Sequence, residues 1–224
     1  GGRSGGAARP RSSVRVRASL NRVLALVLDT ATPAVSVGLI DGGTDVTTVA
    51  ERVVVDGRRH GELLAVGLRG VLAAGTPDIV VVGVGPGPFT GLRVGIMTAA
   101  AFGDARGVPV LGVCSLDGLS APGVGVATDA RRKEVYYAAY DETGRRSDGP
   151  HVDLPEVARA ALSGRAIVGD GALLYGFAST DLPRYPSLAR LAEVALRAHE
   201  RGEAPLALTP LYLRRPDAQE MAAR

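Results

Sequence analysis

The stretch VLALVLDTATPAVSVGLID, residues 23–41, contains two apolar runs that each end at an aspartate, one at Asp29 and the other at Asp41. The Thr-Ala-Thr-Pro between the runs is typical of a turn, so the stretch predicts a β-hairpin. The pattern recurs at an offset of 100 residues in VGVATDARRKEVYYAAYD, residues 124–141, where Asp129 ends the first run. A repeated unit of strand, aspartate turn and strand predicts two similar halves.

The segments around the hairpins alternate between helical and strand patterns. In chain order they predict helix 61–74, strand 79–84, helix 91–103, strand 108–113, helix 155–162, strand 166–168 and helix 188–201. This alternation indicates an α/β fold with parallel strands. Two α/β lobes that each open with an Asp-ended hairpin resemble the duplicated actin, Hsp70 and sugar-kinase (ASKHA) fold. We expect a first lobe at 23–122 and a smaller second lobe at 123–224, whose last segment is free to pack back on the first.

The positive charge of the chain is concentrated at its N-terminus. The 224 residues have a formal net charge of +3, and residues 1–22 contain six Arg and no acid. The remaining 20 basic and 23 acidic residues give the rest of the chain a net charge of −3, which argues against a broad RNA-binding face. Residues 1–22 have no apolar core of a signal peptide or membrane span. We predict a disordered basic extension, either an over-extended start or an RNA-reaching arm, on a cytoplasmic protein.

The segment VGVGPGPFTGLRVGI, residues 82–96, joins a predicted strand to a predicted helix through a glycine-rich loop, with Thr90 expected as the N-cap. A helix N-terminus fed by glycines can bind phosphate. However, the Gly-Lys-Ser/Thr of a P-loop is absent, and the glycines do not match GxGxxG. A structural turn, in which glycine supplies positive φ and proline fixes the direction of the chain, is the alternative.

The helices on either side of this loop predict a protein interface. Gly91, Gly95, Ala99 and Gly103 recur every four residues, so they share one face that another backbone can approach closely. The preceding helix is apolar nearly all round, which is typical of a helix covered on both sides. An intrachain cover by the C-terminal segment is the alternative. The predicted interface residues are His60, Leu63, Leu64, Gly67, Gly70, Gly91, Leu92, Gly95 and Ala99.

The histidines and the single cysteine argue against two kinds of catalytic site. His60, His151 and His199 include no pair at the i, i+4 spacing that places two imidazoles on one metal ion, so no metal site is predicted. Cys114 and Ser115 have no histidine nearby in sequence to act as a base. The chain therefore lacks the expected signatures of a metallopeptidase-like or nucleophilic hydrolase.

The two aspartate turns leave an ATPase or small-molecule kinase open as an alternative. Both turns lack the glycine that lets a phosphate approach the backbone, although both aspartates could place magnesium through water. The residues of this candidate vestigial nucleotide cleft are Asp29, Thr30, Asp129, Arg131, Gly169 and Gly171.

Several features occur together in order along the chain. They are LALVLDTATPAVSVGL, His60, VGVGPGPFTGLRVGI, LGVCSLDGL, ATDARRKEVYYAAYD, IVGDGA and PLYLRRPDA. Together they resemble the TsaB (YeaZ) family, and the resemblance covers residues 23–218. The chain differs from the usual sequence of the family at three positions. Serine is usual at the positions of Gly61 and Pro88, and arginine is usual at the position of Val84. These departures put ligand contacts of the loop in doubt.

The resemblance implies a non-catalytic paralogue of TsaD. TsaD carries the site that transfers a threonylcarbamoyl group to the adenine next to the tRNA anticodon. In the family, TsaB pairs with TsaD through the first-lobe helices, recruits the ATPase TsaE and can self-associate through the same surface. We therefore expect no cofactor required by this chain, ATP or ADP with magnesium in TsaD, in TsaE or at their interface, and tRNA contact only through the complex.

Overall fold

Each hairpin is extended into a β-sheet of its own. The structure, a computed structural model, describes residues 23–43, 45–177 and 182–214. The strands are β1 (Leu24–Asp29), β2 (Ala34–Asp41), β3 (Thr47–Val55), β4 (Ile79–Gly83), β5 (Val110–Val113), β6 (Gly125–Asp129), β7 (Val135–Tyr140), β8 (Arg146–Asp153) and β9 (Ile167–Val168). The first sheet has the order β3-β2-β1-β4-β5, and the second has the order β8-β7-β6-β9.

The two sheets share the same pairing pattern. β1 is antiparallel to β2, with Asp29 opposite Ser36, and β6 is antiparallel to β7, with Asp129 opposite Val135. β4 then joins β1 in parallel, and β9 joins β6 in parallel. The predicted hairpins, their duplication and the parallel strands are therefore confirmed.

Helices cover both faces of the first sheet. The helices are α1 (His60–Leu72), α2 (Phe89–Arg106), α3 (Pro155–Ala161), α4 (Asp170–Leu174) and α5 (Leu188–Glu200), and a short 3-10 helix spans Ser115–Leu119. α1 and α2 pack on one face through residues such as Leu64 and Ile96. α5 packs on the opposite face through Leu188, Leu191 and Leu196. Because both faces are covered, β1 and β4 are apolar without alternation.

The segment that follows α5 also contacts the first sheet. Leu206 forms an antiparallel bridge with Gly112 at the β5 edge. The Leu211 N–H donates a hydrogen bond of 2.8 Å to the Val84 carbonyl, and its side chain packs against the core under α1 and α2. Although α5 and this segment come after the second sheet in the chain, they complete the core of the first sheet.

The structure differs from the sequence prediction in several details, which include α4 and the 3-10 helix as elements that were not predicted. β3 and β8, the outer strand of each three-stranded meander, were not predicted. α2 begins at Phe89 and not at Gly91, with Pro88 at the N-cap position. Thr90 therefore lies inside the first turn and does not cap the helix. The cause is the extended backbone of Pro88 (φ −61°, ψ 136°), which ends the loop earlier than the glycine pattern indicates.

Within the part of the chain that the structure describes, no helix combines the length and the apolar character needed to cross a membrane. The predicted basic extension at residues 1–22 lies outside the described residues.

Candidate functional site

The turn of the first hairpin is closed by a buried carboxylate. Asp29 ends β1 with only 1% of its surface exposed, and its Oδ1 accepts a hydrogen bond of 3.0 Å from the Ala31 N–H. Oδ2 has no hydrogen-bond partner among the described residues, although the Ser115 hydroxyl lies beside it. Burial raises the pKa of Asp29 to about 6, against the opposing effects of Ser115, the Ala31 N–H and His60. The carboxylate supports its own turn and does not face solvent.

The glycines of the 82–96 segment make room for this turn. A Cβ added at Gly87 would lie 2.3 Å from the Ala31 carbonyl oxygen, and one at Gly91 would lie 2.5 Å from the Thr30 carbonyl oxygen. The Thr30 hydroxyl donates a hydrogen bond of 2.8 Å to the Gly91 carbonyl. A Cβ at Gly95 would lie 2.3 Å from that same hydroxyl oxygen. The first turn of α2 thus packs against the hairpin of the same chain. This is the helix N-terminus at which the sequence suggested a phosphate site.

His60 belongs to the same contact. It begins α1, and its Nε2 lies 3.2 Å from the Thr32 carbonyl oxygen. The Nε2 atom would also lie 3.3 Å from a Cβ added at Gly91. The imidazole therefore joins the hairpin turn to the starts of both α1 and α2.

The second hairpin turn repeats the aspartate hydrogen bond of the first. Asp129 Oδ1 accepts a hydrogen bond of 2.8 Å from the Arg131 N–H, the counterpart of the Asp29 contact. The Asp129 N–H donates to Asp170 Oδ1 at 3.1 Å. Arg131 Nε lies 3.7 Å from Asp129 Oδ2, and its guanidinium extends toward Gly57 in the first lobe. Arg131 and the two residues after it all have positive φ, a backbone conformation that side chains rarely adopt.

Gly169 and Gly171 pack tightly against the second sheet. A Cβ at Gly169 would lie 2.2 Å from the Ala127 carbonyl oxygen, and one at Gly171 would lie 2.6 Å from the Thr128 carbonyl carbon. Gly169 also has a φ of 111°, which glycine tolerates best. These contacts explain both glycines as requirements of packing against β6.

The predicted nucleotide-cleft residues differ in their exposure. Asp29 and Thr30 are buried, whereas the Arg131 side chain is 59% exposed and its Nε lies 3.7 Å from Asp129 Oδ2. Among the described residues, no three His, Cys, Asp or Glu side chains form a group that could hold a metal ion. The contacts described above place the six residues in or beside the two hairpin turns, and nucleotide binding stays a prediction.

The Cys114–Ser115 pair is also structural. Burial raises the pKa of the Cys114 thiol to about 12, so the nucleophilic thiolate is strongly disfavoured. The Ser115 hydroxyl oxygen accepts a hydrogen bond of 3.1 Å from the Gly85 N–H. The Ser115 hydroxyl thus holds the end of β5 against the glycine-rich loop, whereas Cys114 packs in the core beside Val126 and Tyr140 of the second sheet.

Most of the residues predicted to form an interface lie inside the chain's own core. Six are buried: Leu64, Gly67, Gly91, Leu92, Gly95 and Ala99. The small-residue face of α2 that was expected to meet a partner meets Thr30 and Val110 of the same chain, and this is a correction to the prediction. His60 and Leu63 are half-buried, whereas Gly70 is exposed, with no atom within 4 Å of an added Cβ.

The outward surface of these helices has different members. Phe89 is half exposed, stacks on Tyr212 with ring centroids 5.1 Å apart, and lies 4.6 Å below the Arg93 guanidinium. Met97 lies one helical turn after Arg93, and 67% of its surface is exposed. We name Phe89, Arg93, Met97 and the exposed α1 residues Ala65 and Gly70 the outer helix surface. Phe89, Arg93 and Met97 recur every four residues, so the sequence alone indicates that they share one face of α2. The predicted interface followed the glycines of the same helix and missed this face.

The paired sheets and their matching aspartate turns define a two-lobed protein of the actin, Hsp70 and sugar-kinase type. Residues 70–170 match the sequence family described as TsaD, tRNA N6-adenosine threonylcarbamoyltransferase. The structure of YeaZ from Pseudomonas aeruginosa is similar, with a TM-score of 0.68 and 27% sequence identity over 84% of this chain and 100% of that chain.

Two sequence relatives cover the chain to different extents. An uncharacterized protein of Mycobacterium tuberculosis strain H37Rv is 43% identical over 218 residues, covering 92% of this chain and 98% of that protein. The tRNA threonylcarbamoyladenosine biosynthesis protein TsaB of Escherichia coli K12 is 34% identical over 134 residues, covering 53% of this chain and 56% of that protein. The chain belongs to the TsaB/YeaZ family.

Proposed function

We propose that this chain is a non-catalytic subunit in the biosynthesis of threonylcarbamoyladenosine in tRNA. In this role it pairs with a TsaD protein and recruits a TsaE protein in the cytoplasm. The names of its TsaB relatives support the pathway. The absence of catalysis is inferred from Asp29, which lies buried under its own turn, and from Arg131, which is paired with Asp129. Any ATP, ADP or magnesium would then belong to TsaD, to TsaE or to their contact with this chain.

The observation that carries the pairing is the outer helix surface. Met97, with 67% of its surface exposed, projects from a helix whose opposite face is packed into the core. Exposed apolar side chains grouped on one surface are typical of protein interfaces. Gly70, which is exposed and has no atom within 4 Å of an added Cβ, leaves the backbone of α1 open to close approach by a partner helix. The same surface would pair two copies of this chain when TsaD is absent.

Binding of purified TsaD to Met97→Glu tests this proposal. Burying a methionine side chain contributes about 1.5–3 kcal/mol, so Met97→Glu weakens binding about 10- to 100-fold. Leu174→Glu is the matched control, because Leu174 is 62% exposed on α4 of the second lobe. We expect the control to bind TsaD like the wild type in isothermal titration calorimetry. Equal loss in both variants, or no loss in Met97→Glu, would contradict the proposal.

An independent ATPase or small-molecule kinase is the alternative function. It requires magnesium-dependent ATP turnover by the purified chain, with Asp29 reachable by the metal. Because Asp29 is buried, we expect no turnover above the background of an Asp29→Asn variant. Turnover by the wild type that this variant loses would support the kinase in place of the subunit.

A further inference from the structure

A second cleft, lined mainly by charged side chains, lies between α5 and the β7–β8 hairpin. Its volume is about 400 Å³. Asp129 pairs with Val135 at one end of β7, whereas Tyr140 of this cleft ends the same strand at the other. The cleft is therefore distinct from the aspartate turns. Its five arginines are Arg145, Arg146, Arg190, Arg197 and Arg201.

The arginines of the cleft outnumber its carboxylates. Glu193 is shared by Arg190 and Arg197, each at 2.7 Å. Glu203 is likewise shared by Arg201 at 2.6 Å and Arg145 at 3.5 Å.

The third carboxylate of the lining is Asp117, which lies 3.4 Å from Arg146. Five guanidinium groups facing three carboxylates leave an excess of two positive charges. This excess stands out because the chain beyond residue 22 carries a net charge of −3.

The floor of the cleft is held in place by hydrogen bonds. The side chains of Arg146 and Arg190 are only 25% and 24% exposed. Arg190 donates to the Ser120 hydroxyl at 2.8 Å and to the Gly144 carbonyl at 3.0 Å. The Tyr140 hydroxyl donates to Asp117 Oδ1 at 2.8 Å, which fixes the carboxylate that faces Arg146. A pre-organised guanidinium loses little entropy when it binds an anion.

A smaller cavity of about 170 Å³ adjoins the arginines. Leu111, Cys114 and Val194 form an apolar part of its lining, and His199 belongs to a polar part. The residues that it shares with the charged cleft are Asp117, Arg146, Val194, Ala198 and Glu203. A ligand that carries its charge at one end could therefore place an uncharged carbon skeleton beside the apolar part of the lining.

We propose that the arginine cleft binds a small organic phosphate. The guanidinium fork matches phosphate oxygens with two parallel hydrogen bonds, and the excess of two positive charges matches a phosphate dianion. The adjoining smaller cavity receives the carbon skeleton against Leu111 and Val194. RNA fits less well, since two of the arginines lie at the floor of a concave site and an RNA backbone runs over exposed surface.

Isothermal titration calorimetry on the isolated chain tests the proposal, with inorganic phosphate, adenosine 5′-monophosphate and tRNA as probes at two salt concentrations. The variant Arg145→Gln/Arg197→Gln removes two exposed rim arginines and leaves the floor intact. Arg106→Gln/Arg159→Gln removes the same charge from distant exposed sites and is the matched control. We expect the wild type to bind the organic phosphate more tightly than inorganic phosphate. The rim variant should bind at least about tenfold more weakly than the control.

Three results would overturn the proposal. One is the absence of binding by the wild type, and another is an equal loss of affinity in the rim and control variants, which would indicate only general charge screening. The third is binding of tRNA through Arg145 and Arg197 without binding of either small phosphate. No TsaD protein is present in this measurement, so failure here leaves the proposed subunit function unaffected.

Discussion

Substitution of Gly91 by alanine tests whether the glycine-rich segment exists for packing. The added Cβ would lie 2.5 Å from the Thr30 carbonyl oxygen, a backbone atom that cannot rotate away. Overpacking of this kind costs about 1–3 kcal/mol. Replacing a helical glycine with alanine stabilises the helix by at most about 1 kcal/mol, and by less at the start of a helix. We therefore expect Gly91→Ala to lower the free energy of unfolding by about 1–2 kcal/mol.

Urea unfolding followed by circular dichroism measures this change, and the transition midpoint should fall at constant slope. Gly70→Ala is the matched control, because no atom lies within 4 Å of its added Cβ in α1. We expect that variant to be more stable than the wild type by about 0.5–1 kcal/mol. If both variants were stabilised alike, the Thr30 contact would not explain Gly91, and a ligand-binding role for the loop would regain support.

Two further predictions concern buried ionisable groups. The pKa of Asp29 is raised from 3.8 to about 6, so the folded chain binds more protons than the unfolded chain between about pH 4 and 6. This contribution to stability is complete below pH 4 and is lost as the pH rises through 6. Asp29→Asn should therefore be more stable than the wild type at pH 8, by up to about 3 kcal/mol, with an advantage that shrinks toward pH 4 in urea unfolding. An advantage independent of pH would contradict the burial argument. Cys114 should react with a thiol reagent at pH 8 only after unfolding, and rapid labelling of the native chain would show that the cavity beside it opens.

The sequence predicts the centre of each sheet better than its edges. β1 and β4 are buried on both faces, so their apolar runs are unbroken and easy to recognise. β3 is an edge strand whose residues are mostly exposed, and its TTVAERVVV pattern lacks a clear apolar face. β8 contains Gly149 and Pro150 among polar residues, a composition typical of turns. Pairing with the neighbouring strand of each hairpin overrides these weak local preferences.

The candidate sites show a similar division between local and long-range information. The spacing of Gly91 and Gly95 indicates that another segment packs closely against α2, but it does not identify that segment. The structure shows that the contacting residue is Thr30, which lies 61 residues before Gly91 in the chain. The arginine cleft draws its lining from residues 117–203, and no local motif connects them. Such a site becomes visible only when the hairpin and α5 are placed side by side.

The position of α5 also has a consequence for synthesis of the chain on the ribosome. The first five strands and both covering helices are complete by Val113, yet the opposite face of their sheet waits for Leu188, Leu191 and Leu196. Domains generally fold as units, and N-terminal ones fold first during synthesis. Here the first lobe would emerge with one apolar face uncovered until α5 has been made. A nascent chain of this protein is therefore expected to depend on chaperones longer than a chain built from two self-contained lobes.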